Sequence, residues 1–171
     1  SSDHNEAAKD FLRGFLFSGE FCGKGGFDMT HADDLQLRAM TERDYEQCIS
    51  LWRRTPGMGL GASDGPEQFV RFVVRNPGLS FVAVSGGVIV GTIMCGHDGR
   101  RGYIYHLAVD DAFRRKRIGS RLVDCALDGL KDEKIVKCTL FVFADNDAGI
   151  SFWDGTGWCS RPDLQIRQRD L

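Results

Sequence analysis

Apolar and polar positions fall into two rhythms from Leu35 onward. In "LQLRAM" (35–40) they alternate, which predicts a short strand. In "TERDYEQCISLWRRT" (41–55) the spacing changes to three and four, so Tyr45, Cys48, Ile49 and Trp52 share one helix face. Thr41 followed by Asp44 is a capping pattern for that helix. A second helix is predicted over "SDGPEQFVRFVVRN" (63–76), with Pro66 near its first turn and Pro77 just past its end. The intervening "PGMGLGASDGP" is a flexible loop. "LSFVAVS" and "GVIVGTIMCGH" are β-branched runs meeting at Gly86-Gly87, a hairpin signal. "RRGYIYHLAVD" and "KIVKCTLFVFA" read as two more strands, with a helix between them whose buried face carries Ile118, Leu122, Cys125, Ala126 and Leu130. "NDAGISFWDGTG" reads as a helix stopped by Gly155 and Gly157, and "LQIRQRD" (164–170) as a closing strand.

This order predicts an α/β domain with a mixed, mostly antiparallel central sheet flanked by helices. The strand–helix–strand segment 101–143 should be a right-handed crossover, so its two strands should be parallel. Residues 1–34 differ in texture and read as an N-terminal extension: a short helix in "NEAAKDFLRGFLF" and then a glycine-rich loop. Its "GKGG" lacks the spacing of a phosphate loop. The domain proper is 35–171.

A chain of 171 residues suffices for one domain with a sizeable core. The net charge of −2 argues against general nucleic-acid binding. None of the six cysteines forms a CxxC or shows zinc spacing to the four histidines, so no metal site is expected. Cysteines in apolar runs read as buried thiols of a reducing cytoplasm. No run approaches the roughly 18 apolar residues of a membrane span, and the N-terminus does not read as a signal peptide.

Against this acidic background "RRKR" stands out: Arg114, Arg115, Lys116 and Arg117, followed by Ile118, Gly119 and Ser120 at a helix start. Unpaired N–H groups and a partial positive charge gather there, and glycine lets a phosphate approach the backbone. Cations at a helix N-terminus oppose its dipole, so stability alone would favour Asp or Glu. An anion site is the better reading.

"LAVDDAFRRKRIGSRLV" resembles the signature of the Gcn5-related N-acetyltransferase (GNAT) family, whose loop reads Gln/Arg-x-x-Gly-x-Gly/Ala. Arg114 fills the first place and Gly119 the last. Arg117 stands where the first glycine is usual, which costs little if φ is negative. "YHLAVD" resembles the family's fourth strand, and "NDAGISFWDGTGW" its Asn-x-x-Ala ending. The resemblance runs from Leu35 onward and is strongest to small bacterial members.

The resemblance implies the GNAT fold, with strands four and five splayed apart, and acetyl transfer from acetyl-coenzyme A to an amine by direct attack. It assigns the pyrophosphate to the loop amides from Arg115 to Ser120, Lys116 and Ile118 included, with Arg114 and Arg115 adding charge near the pyrophosphate or the 3′-phosphate. It assigns the pantetheine arm to the backbone of Leu107, Ala108 and Val109, and the sulfur end to Asn146, with Trp153 a further coenzyme-site candidate that also reads as a core or pocket aromatic. Asn146 also reads as a helix N-cap. The family's strand-four glutamate is replaced by Tyr103, and its tyrosine acid by Trp153. Tyr105 is the candidate acid, with Tyr103 on the same strand face. His106 falls on the opposite face unless a bulge intervenes. A water chain, Glu67, Asp98 or His97 remain as bases. The partners implied are acetyl-coenzyme A and an amine acceptor, with no nucleic acid, membrane or metal. A homodimer stays open. A degenerate coenzyme-binding sensor is the competing function, and a nucleotide- or nucleic-acid-binding loop a third.

Overall fold

A five-stranded sheet in the order β1-β2-β3-β4-β5 separates two apolar layers. The computed structural model describes residues 35–170, so the helix and loop expected in 1–34 lie outside the described residues. The strands are β1 Gln36–Ala39, β2 Phe81–Ser85, β3 Val88–His97, β4 Gly102–Val109 and β5 Cys138–Leu140. The helices are α1 Tyr45–Arg54, α2 Pro66–Arg75, α3 Ile118–Asp132 and α4 Asp147–Gly155. Neighbouring strands from β1 to β4 run antiparallel, and β4 and β5 run parallel, as the crossover through α3 requires.

β3 is the spine. From Ile89 to Gly96 every residue is buried, because helices cover both faces. On one face Ile118, Leu122, Ala126 and Leu130 of α3 meet Ala83, Ile93, Cys95 and Ile104. Gly102 lets α3 seat closely: a Cβ there would meet Leu130 Cδ1 at 2.5 Å. On the other face Leu51 and Trp52 of α1 and Phe69 and Val73 of α2 pack over Val82, Ile89, Met94 and Ala108. The indole Nε1 of Trp52 donates to Thr92 Oγ1 at 2.8 Å, which satisfies a polar pair inside this layer.

Local chemistry fixes the ends of the elements. The Asp44 carboxylate accepts the Thr41 N–H at 2.7 Å and is held by Arg38 at 2.7 Å, where the chain enters α1. Gly86 (φ +55°) and Gly87 (φ +79°) supply the positive φ values of a two-residue hairpin turn. Two expected strands came out differently. β5 keeps only the middle of "KIVKCTLFVFA", since the chain leaves the sheet after Leu140. "LQIRQRD" forms no strand: Leu164 and Ile166 are exposed, and no strand among the described residues pairs with it. Its alternation alone cannot hold a strand in water.

Candidate active site

The β4–β5 ladder has three pairs, Gly102–Cys138, Tyr103–Thr139 and Ile104–Leu140, and then ends. β4 continues to Val109, whereas residues 141–143 leave as irregular chain. A cleft of about 230 Å³ lies between them. Ile104, Tyr105, His106 and Leu107 form one wall, and Leu140 to Phe143 with Asn146 and Trp153 the other. Gly57, Met58 and Gly59 of the loop after α1 also line it. That loop lies close against the second wall: a Cβ on Gly57 would meet Asn146 at 2.6 Å, and one on Gly59 would meet Phe143 at 2.8 Å.

The basic loop follows the end of β4. Asp110 opens it by accepting the Ala112 N–H at 3.1 Å and the Arg54 guanidinium at 2.9 Å. Asp111–Phe113 make one 3-10 turn. Arg114 pairs with Asp111 at 2.9 Å, and Lys116 Nζ stands 4.9 Å from the centre of the Phe113 ring. Arg115 (φ +62°) and Arg117 (φ +61°) are both exposed and both left-handed. The condition under which a side chain at 117 would cost little, a negative φ, is therefore not met. The backbone keeps the shape a glycine would favour, at a cost of about 1–2 kcal/mol for a residue with a Cβ. α3 starts at Ile118, so the first-turn amides of Ile118, Gly119 and Ser120 have no acceptor within the helix. A Cβ on Gly119 would meet Phe152 at 3.4 Å, an ordinary contact, so packing does not demand glycine there.

The remaining candidates divide clearly. Asn146 caps α4, its Oδ1 accepting the Gly149 N–H at 2.9 Å, and it lines the cleft as well. Trp153 lines the cleft and meets Phe152 and Trp158 edge-on, with ring centres 5.0 and 5.2 Å away. Tyr105 lines the cleft, while Tyr103 stacks behind it with ring centres 6.4 Å apart. Burial, and secondarily Tyr103, pushes the Tyr105 phenol above its ordinary range, so it keeps its proton at neutral pH. Ala108 is buried beneath α1, with only its backbone available from that position.

Three of the bases considered do not line the cleft. Glu67 sits on the outer surface of α2. His97 and Asp98 accept N–H groups of Gly99, Arg100 and Arg101 in the β3–β4 turn. Thiol chemistry is also disfavoured: burial pushes Cys95 to about 12 and Cys138 to about 11. Among the described residues no group of three His, Cys, Asp or Glu side chains is placed to hold a metal. No helix among them is long and apolar enough to cross a membrane.

One pair escaped the sequence reading. His106 has φ +47°, and the β3–β4 register slips between Thr92–Ala108 and Met94–Tyr105. Ile93 therefore lies opposite two residues, His106 and Leu107, in a β-bulge. The bulge turns the imidazole against the Trp52 ring, with centres 4.4 Å apart, on the α1 side of the sheet. There Nε2 lies 2.5 Å from Asp64 Oδ1. The only hint in the sequence was one polar residue inside an apolar run.

The model of the acetyltransferase (GNAT) family matches residues 45–158. The chain is 35% identical over 116 residues to an acetyltransferase of Photorhabdus laumondii, covering 68% of this chain and 80% of that one. The chain belongs to the GNAT family. The fold comparison agrees. The PaiA N-acetyltransferase of Thermoplasma acidophilum, solved with coenzyme A, superposes with a TM-score of 0.65 at 20% identity, covering 72% of this chain and 89% of that one. An aminoglycoside N-acetyltransferase, AAC(6')-Iy, also solved with coenzyme A, gives 0.66 at 14% identity, covering 84% and 99%. The short β4–β5 ladder is thus the parallel pair of a GNAT sheet.

Proposed function

We propose that this acetyltransferase moves the acetyl group of acetyl-coenzyme A to an amine of a small molecule or peptide by direct attack. The observation carrying this reading is the cleft: it opens where the β4–β5 ladder stops and runs alongside β4, at whose end the basic loop begins.

In this reading the amides from Arg115 to Ser120 hold the pyrophosphate, and Arg114 to Arg117 add charge beside the phosphates. The donor set fits a polyanion: first-turn amides, several cations and a glycine whose place packing leaves free. The β4 edge from Leu107 to Val109 pairs with the pantetheine amides, while Asn146 and Trp153 border its sulfur end. A β4 amide polarises the thioester carbonyl, and the tetrahedral oxyanion gains most from it. The acceptor nitrogen forms a bond to the carbonyl carbon, and the C–S bond breaks with its electron pair on sulfur. The Tyr105 phenol, protonated at neutral pH, can supply the thiolate's proton.

A second reading is a coenzyme-binding module that no longer transfers, favoured by Tyr103 and Trp153 where catalytic groups are usual. One experiment separates them: calorimetric titration with acetyl-coenzyme A, followed by thiol release with spermidine, kanamycin, alanine and trialanine. Binding with thiol release on one of these supports transfer. Binding without release on any of them supports the sensor, and no binding defeats both.

A further inference from the structure

His106 and Asp64 form a part-buried pair in strained surroundings that stability alone does not favour. A left-handed histidine within a strand costs about 1–2 kcal/mol, and such outliers gather at functional sites. Neighbouring groups hold it there. The His106 carbonyl accepts Thr92 Oγ1–H at 3.0 Å, and Thr92 accepts the Trp52 indole N–H. Asp64 ends a 3-10 turn, Ala62–Asp64, and is fixed separately. Its Oδ2 accepts the Gly61 N–H at 2.7 Å, and its carbonyl accepts the Tyr45 hydroxyl at 3.2 Å. Both side chains of the pair are only 15% exposed.

The chemistry of the two ring nitrogens follows. An ionised Asp64 only accepts, so Nε2 carries the hydrogen between them and Nδ1 keeps its lone pair. Nδ1 lies 3.1 Å from Met58 Sδ. A thioether gives no hydrogen and accepts only weakly, so the Asp64 side of the ring sets the tautomer. Met58 and His106 both line the cleft, and an acceptor amine reaches Nδ1 by displacing the Met58 thioether.

We propose that His106 is the general base of the transfer, acting through Nδ1, and that Asp64 is its positioning residue. This deepens the transfer reading and rests on it. The neutral amine attacks the thioester carbon, and the proton of the resulting ammonium passes to Nδ1. The C–S bond then breaks, and sulfur leaves with the electron pair. The imidazolium returns one proton, directly or through Tyr105 or water, to the thiolate. The products are the acetamide and the free thiol, and His106 is again neutral.

The left-handed backbone suggests the test. Glycine accepts φ +47° without strain, so His106→Gly keeps the fold and opens a hole of imidazole size. With whichever panel amine the wild type acetylates, kcat of this variant should fall about 100-fold, while acetyl-coenzyme A affinity by calorimetry stays unchanged. Added imidazole should restore turnover, and pyrrole, the same ring without the basic nitrogen, should not. Asp64→Asn should lower kcat more than it changes KM. Long-range nitrogen–proton NMR, with the His106 signal assigned by its loss in His106→Gly, should show the hydrogen on Nε2 in the wild type and a mixed tautomer in Asp64→Asn. Wild-type kcat in His106→Gly, equal rescue by pyrrole, or a wild-type hydrogen on Nδ1 would each overturn the assignment while leaving acetyl transfer standing. No thiol release from the wild type with any amine would instead remove the transfer reading and the base with it.

Discussion

Arg54 Nη2 lies 2.9 Å from Asp110 Oδ2, so the last turn of α1 is tied to the residue that opens the basic loop. The Asp110 N–H also donates to Val90 O at 2.9 Å, and its Oδ1 caps the 3-10 turn. The side chain thus aims the loop more than it stabilises the fold. Asp110→Ala should cost about 1 kcal/mol in urea unfolding, since the ion pair is half exposed and the cap short. Its loss of coenzyme affinity should be larger, read by calorimetry on the same protein.

Gly119→Ala separates packing from ligand approach. The added methyl meets Phe152 at an ordinary distance, and alanine favours the helix. Stability should be unchanged or raised by up to about 1 kcal/mol. Coenzyme affinity should fall about tenfold, equivalent to one lost hydrogen bond to charge. Unchanged affinity would show that the phosphates lie elsewhere.

Arg117→Gly probes the other end of the loop. At φ +61° the change removes left-handed strain, so the unfolding midpoint should rise by the equivalent of about 1 kcal/mol. If the guanidinium contacts the phosphates, coenzyme affinity should fall and lose part of its salt dependence.

Acid should act through Asp44. Burial alone would raise its pKa, but Arg38 and the Thr41 N–H and hydroxyl outweigh burial and hold it below its ordinary 3.8. A depressed carboxylate stabilises the fold above the unfolded value and loses that contribution as pH falls through the folded one. Resistance to urea should weaken below about pH 4. Asp44→Asn should be less stable at neutral pH and should lack that part of the slope.

The two helix faces, the Gly86-Gly87 hairpin and the parallel crossover were legible because each is written in local spacing. The last strand misled for a reason of the same kind: "LQIRQRD" alternates, but alternation does not provide a neighbouring edge. Splaying after Ile104–Leu140 followed from the family resemblance and not from periodicity, since "CTLFVFA" is apolar but for Thr139. His106 was hidden by parity. A strand read at period two places it opposite Tyr105, and only a register slip against β3 brings it to the α1 side. Its partner Asp64 lies in a loop 42 residues earlier, and no local pattern links the two.

The three-pair ladder also bears on how the molecule opens. β5 joins residues 141–170 to the sheet, yet among the described residues no fully buried hydrophobic lies beyond Ile135, and Phe152, Trp153 and Trp158 are only partly buried against the core. Local opening follows the distribution of buried contacts. The wall with Asn146 and Trp153 should therefore detach as a separate unit, well before β3 exchanges its amide hydrogens. Deuterium should enter Cys138–Leu140 early and Ile89–Cys95 only on global unfolding, which makes the cleft's width a thermally adjustable quantity.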